Sequence, residues 1–164
     1  MKRPLLAALS VAAALGGLAT ISRSQDDAKI EPLKRRVNDF FRQLAQEKDP
    51  AIAFDRLLEG GPLERHPRIK VLVEKVANFD SKYGDFSAAV PISERAVGPD
   101  QQVVLLKYLY EAQEYPVVWN FTFYRQPASR LGDTRKWVVV GVRFDTDLEA
   151  LAQTSPTRAR SAGG

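Results

Sequence analysis

Trp119-Asn120-Phe121-Thr122-Phe123-Tyr124-Arg125 and, twelve residues later, Trp137-Val138-Val139-Val140-Gly141-Val142 decide how this chain folds. In the first stretch every second residue up to Phe123 is aromatic, and Asn120 and Thr122 stand between. Side chains in a strand alternate between faces, so period-two patterning of this kind marks a strand with one face toward a core. The second stretch is rich in valine, which favours the pleated backbone.

Working outward, the same period recurs on both sides. Gln102 to Glu111 reads as a strand with Val104, Leu106, Tyr108 and Tyr110 on one face. Phe86 to Val97 reads as an irregular strand, with Pro91 suited to an edge or a bulge. Gly98-Pro99-Asp100 is a turn between them, Gln126 to Lys136 a polar loop, and Trp137 to Asp145 the last strand. The expected core face carries Val117, Trp119, Phe121 and Phe123 on the third strand, and Val138, Val140, Val142 and Phe144 on the fourth. The opposite face then holds Val103, Leu105, Leu109, Val118, Tyr124, Trp137 and Val139, broken by Lys107, Glu111, Asn120, Thr122 and Arg143. An apolar patch rimmed by charge marks a contact surface. Val103, Leu105, Val118 and Trp137 are therefore expected to form an interface, as a homodimer or with another protein.

Upstream of Gly84 the period becomes helical. Ile30, Leu33, Val37, Phe40, Phe41 and Leu44 share a face and predict a helix over Lys29 to Lys48, with Pro32 confined to its first turn. Asp49-Pro50 predicts an N-cap and first residue for a second helix reaching about Glu59. Pro67 to Tyr83 predicts a third, closed by Gly84. Asp147 to Ala152 has the pattern of a final helical turn. Helices followed by consecutive strands imply an α+β domain in which three helices pack on a four-stranded antiparallel sheet.

Lys2 and Arg3 precede an uncharged, Leu- and Ala-rich run from Leu5 to Ile21, and charge returns at Arg23, Asp26 and Asp27. This is the anatomy of a secretory signal, with Ser22 and Ser24 suited to a cleavage site at Ser24/Gln25; an uncleaved anchor is the alternative. Residues 1–24 are thus read as a signal segment, 25–152 as one domain and 153–164, which hold nothing to bury, as a disordered tail. The expected address is periplasmic or extracellular, with no membrane contact after cleavage. Setting aside Lys2, Arg3, Arg23, Arg158 and Arg160 leaves nineteen basic residues against twenty acidic ones. Such a domain lacks the basic footprint of a nucleic-acid binder. The chain has no cysteine and one histidine, which excludes thiol catalysis, disulfides and multi-histidine metal sites, and nothing calls for a cofactor.

The helices leading through Tyr83-Gly84-Asp85-Phe86 into four strands, with Trp119 to Arg125 and Trp137 to Val142 as the last two, resemble the cystatin-like, nuclear-transport-factor-2-like superfamily. The likeness covers about Lys29 to Leu151 and is nearest to small exported bacterial members of unknown function. It implies a curved sheet wrapped around the helices like a cone, a pocket at the open end, and dimers through the sheet. Members of that superfamily include isomerases, dehydratases, polyketide cyclases and non-catalytic binding domains. Their catalytic sets pair a pocket Asp with a Tyr or protonated acid, or a His with an Asp. Neither set has residue-by-residue counterparts here.

Candidate sites follow from side-chain chemistry. Asp80 and Tyr83, three apart on a helix, are placed for proton transfer, or are a solvated acid beside a core ring. Phe79, Tyr83, Tyr108, Tyr110, Trp119 and Phe121 line an aromatic pocket for a small apolar ligand, or simply fill a core. His66, before Pro67, is a lone base near Glu64 or a helix cap. The leading expectation is an exported non-enzymatic binding or interaction module. A cofactor-free isomerase, dehydratase or cyclase is the alternative, and a structural subunit of an envelope complex the third. Intact mass of protein recovered from its native compartment should show residues 1–24 removed; a species retaining Leu5 to Ile21 would establish an anchor instead.

Overall fold

The computed structural model describes residues 21–47, 49–128 and 135–148, with side chains from residue 29 onward. Most of the signal segment, the centre of the 126–136 loop, most of the expected final helical turn and the tail lie outside the described residues.

Helix α1 (Ile21–Gln46) buries Ile30, Leu33, Val37, Phe40 and Phe41 on the face their spacing defines. It extends upstream of the expected start, so Pro32 lies inside the helix rather than in its first turn, and the expected Ser24/Gln25 junction falls within it. Helix α2 (Pro50–Leu58) begins as its sequence dictates: the Asp49 carboxylate accepts the Ala51 N–H at 2.9 Å, with Pro50 at the first helical position. Arg36 of α1 closes its other end, donating to the carbonyl oxygens of Leu57 at 2.6 Å and Glu59 at 3.3 Å, and to Trp137 at 3.2 Å. One side chain thus satisfies orphan carbonyls of α2 and ties both helices to the sheet.

The third expected helix is two. Helix α3 (Pro67–Val76) and helix α4 (Phe79–Tyr83) are separated at Ala77 and Asn78. Asn78 folds its amide back onto the Glu74 carbonyl at 2.9 Å, the local competition with backbone bonding that makes asparagine a poor interior helix residue. The break aims Phe79 and Tyr83 at the core, while Ile69, Leu72 and Val73 stay partly exposed. Gly84 follows with φ +83°, where a side chain would be strained, and a Cβ there would meet the Glu114 backbone nitrogen at 3.0 Å. That close approach lets the Glu114 and Tyr115 N–H groups both donate to the Tyr83 carbonyl, clamping α4 to the turn at 113–116.

Strands β1 (Phe86–Val97), β2 (Val103–Ala112), β3 (Val117–Arg125) and β4 (Trp137–Asp145) form one antiparallel sheet in chain order. The fold is α+β, with helices packed against a four-stranded antiparallel sheet. β1 is bulged twice, between Phe86 and Ala88 and between Pro91 and Ser93, which fits an edge strand containing proline.

The alternation in β2 and β3 holds: Val104, Leu106, Tyr108, Tyr110, Val117, Trp119, Phe121 and Phe123 are all buried in the core. Strand β4 departs from expectation. Thr122 pairs with Gly141 and Phe123 with Val139, leaving Val140 as an extra residue in a bulge. A one-residue insertion inverts which side chains face inward. Val139 and Trp137 therefore lie on the helix side with Phe123 and Arg125, and Val138 and Val140 do not share the face of Val142 and Phe144. Val138 is instead buried beside Gly61, in the turn after α2.

Trp119 holds the two layers together. Its ring stacks on Phe121 at 5.8 Å and 10°, and Phe40 and Phe41 of α1 meet it edge-on at 5.5 and 5.7 Å. Trp119→Ala should cost about 3–5 kcal/mol in denaturant melts, as aromatic truncations in cores do. In the same series Val139→Ala should cost about 2 kcal/mol and Val140→Ala well under half of that. Equal losses at the two valines would place the bulge elsewhere.

Candidate functional site

The interior between helices and sheet is occupied by rings. Trp119 and Phe121 have no exposed surface, and Phe40 also packs on Phe54 at 5.0 Å. Of the six aromatic residues expected to line a pocket, Tyr83, Tyr108, Trp119 and Phe121 are packed against other rings in this core. Phe79 and Tyr110 are also buried, yet both border a cleft of about 540 Å³ where the end of α1, the start of α2, the α3–α4 break and the start of β1 converge.

That cleft is acidic. Asp80, Asp85 and Glu47 line it, all exposed. The structure separates Asp80 from Tyr83: Asp80 borders the cleft, whereas the Tyr83 ring is buried between Phe79 at 5.0 Å and Tyr115 at 6.4 Å. The tyrosine that Asp80 influences is Tyr110. Its hydroxyl is pushed up to about 12 by burial, and then by the charges of Asp80 and Asp85. Sequence reasoning missed Asp85 and Glu47, because the cleft is assembled by the helix break and by the α1–α2 junction. Among the described residues no group of three or more His, Cys, Asp or Glu is placed to hold a metal. His66 caps α3, its Nδ1 accepting the Arg68 N–H at 3.2 Å.

The outer face of the sheet carries a second concavity, of about 320 Å³. Register builds it. One row runs Ser93, Lys107, Asn120, Arg143 directly across all four strands, and the next runs Arg95, Leu105, Thr122, Gly141. All eight residues line the groove, and among the described residues that line it there is no carboxylate. At Gly141 a Cβ would meet the Thr122 side chain at 3.2 Å, so glycine keeps the floor low. Arg95 and Arg143 are exposed. Asp145, on the same face, sits one row beyond and accepts the Asp147 N–H at 2.9 Å.

The four residues expected to form an interface do not stay together. Trp137 is turned to the helix side by the β4 bulge, under the Arg125 guanidinium at 5.7 Å. Val118 is on the outer side but only 3% exposed, at the end where the Tyr115 hydroxyl donates to the Thr146 carbonyl at 3.0 Å. Val103 is half-buried and Leu105 is 38% exposed. Ser93, Arg95 and Gly141 were not in the expected patch; the place of Ser93 and Arg95 depends on the bulge after Pro91, and Gly141 has no side chain to mark a face.

Compared with family models, with curated proteins and with solved structures, the chain matches none. Among the described residues no helix is long and apolar enough to cross a membrane.

Tyr108 is likewise pushed up to about 12, mainly by burial; Lys34 opposes the shift and Glu31 and Glu94 add to it. Its hydroxyl reaches the Lys34 carbonyl at 3.5 Å. Unfolded tyrosine ionises near pH 10. Both phenols are thus bound to their protons more tightly when folded, and their contribution to stability is complete below about pH 10 and lost as pH rises through about 12. An absorbance titration should show two tyrosines ionising only at or above about pH 12, and Tyr108→Phe should shallow the alkaline decline in stability. Loss of stability already complete by pH 10 would contradict the burial of these hydroxyls.

Proposed function

We infer that the chain is an exported, non-enzymatic binding module of the cystatin-like type, recognising its partner on the outer face of the sheet rather than inside a cone. The observation that carries this reading is the filling of the layer between helices and sheet by Trp119, Phe121, Phe40, Phe41 and Phe54, which are at most 2% exposed. Chemistry inside such a fold needs a cavity with polar groups converging in it. In this chain polar and charged side chains converge on the outer groove instead. Export rests on the residues Lys2 to Asp27 and the polar start that follows the apolar run.

A second reading is favoured by the 540 Å³ cleft. A small isomerase or dehydratase would there use Asp80 or Asp85 as base, with the Tyr110 hydroxyl as proton donor. The exposure of both carboxylates to water weighs against it, since acid–base sites gain from desolvation.

Nuclear magnetic resonance with a small fragment library distinguishes the two. Shifts are expected to gather at Ser93, Arg95, Leu105, Lys107, Asn120, Thr122 and Arg143. Shifts confined to Phe79, Asp80, Asp85 and Tyr110 would overturn the binding-module reading and favour the enzyme.

A further inference from the structure

We propose that the groove across the outer sheet face binds a small molecule carrying two or more carboxylate or phosphate groups; this deepens the outer-face reading and rests on it. Three cations, Arg95, Lys107 and Arg143, lie within two adjacent cross-strand rows, with hydroxyl and amide groups of Ser93, Thr122 and Asn120 between them. The domain as a whole is close to neutral, so this clustering is a local sorting of charge and not a reflection of composition.

The geometry selects a multiply charged ligand. Arg95 stands on β1 and Arg143 on β4, at opposite edges of the sheet. Adjacent strands lie about 4.8 Å apart, so the two backbones are separated by roughly 14 Å. With the two forks rooted at opposite edges and Lys107 between them, a molecule with anionic groups at two or more points can engage all three cations at once. Each guanidinium presents a planar fork matched to carboxylate or phosphate, and neither is committed to an acceptor among the described residues. Lys107 stands midway, and Asn120 offers an amide to the polar middle of the ligand.

Three acids described on these strands lie outside the groove lining. Glu94 of β1 points to the helix side, where it pairs with Lys34 at 3.5 Å. Asp145 is held by its own turn. Glu111 lies two rows away, opposite Ala88. The volume of about 320 Å³ sits at the low end of small-molecule sites, which span roughly 300–1,000 Å³. A second copy of the chain fits this centre less well. A two-fold contact there would set Arg95, Lys107 and Arg143 against their own counterparts.

Citrate and pyrophosphate are the probes, titrated at low salt into the full chain after export, with backbone amide shifts as readout. Both, or one of the two, should bind saturably, shifting amides at 93–95, 105–107, 120–122 and 141–143; which one binds assigns carboxylate or phosphate. Arg95→Gln and Arg143→Gln should each weaken binding by about tenfold or more, as removal of a charge-assisted bond does. Asn120→Leu keeps every charge and should weaken it less. Lys70→Gln, on α3, should change nothing, and acetate should bind far more weakly than citrate. Unaltered melting temperatures show that each variant is folded. The proposal is overturned if neither probe saturates, if the arginine variants bind as wild type does, or if acetate matches citrate. Sedimentation of the same samples separates the two levels of the argument. A wild-type dimer broken by Leu105→Glu, with no anion bound, retains the outer face as the recognition surface and removes the small anion as its occupant.

Discussion

Four rings set the thickness and contents of this molecule. Phe40 and Phe41 are neighbours on α1, so they diverge from the helix by about 100° and cannot both point at one spot. Each finds an edge of the Trp119–Phe121 stack instead, at 5.5 to 5.7 Å. A phenylalanine at position 119 would lack the area to receive Phe40, Phe41, Phe79 and Phe144 together. The indole is there for its shape, since its buried N–H has no hydrogen-bond partner among the described residues. Once this stack is made, the helix layer is fixed over β3. Arg36 can then reach both the end of α2 and the first residue of β4.

How much of this could be read in the sequence depends on whether a local pattern determines the local geometry. Strands β2 and β3 were legible because aromatic and polar residues alternate there without a break. The Asp49-Pro50 start of α2 was legible because capping is a short-range bond. Strand β4 misled because Val138, Val139 and Val140 are chemically identical. No pattern in three valines says which is extra, and only the partner strand decides it. Pro32 misled in the other direction: its cost inside a helix is real, yet α1 continues on both sides of it. The α3 stripe of apolar residues runs without interruption through Ala77 and Asn78, and the break comes from a side-chain bond that periodicity does not register.

The two concavities differ for the same reason. The acidic cleft is made by chain ends meeting: the last turn of α1, the start of α2, a broken helix and the first residues of β1. Its members are far apart in sequence, and from the chain alone Phe79, Asp80 and Tyr110 were singled out but Glu47 and Asp85 were not. The outer groove is made by register. Arg143 and Lys107 were visible as interruptions of an apolar face, but without the bulge between Pro91 and Ser93 the side chains of Ser93 and Arg95 would be assigned to the helix side.

Charge supports the proposal that the groove, rather than the cleft, is the binding surface. Both are lined by groups of one sign, and a cluster of like charges destabilises the fold unless water or a ligand screens it. In the cleft the three carboxylates are exposed, so solvent can screen them. In the groove the row is locked across four hydrogen-bonded strands, and Lys107 and Asn120 are only partly exposed. Backbones held in a rigid row fix the spacing of the groups a ligand meets, and the partial burial of Lys107 and Asn120 strengthens the bonds they make to it. Four hydrogen-bonded strands hold the spacing of these charges, and the bulge between Pro91 and Ser93 is what brings Arg95 into the row adjacent to that of Arg143.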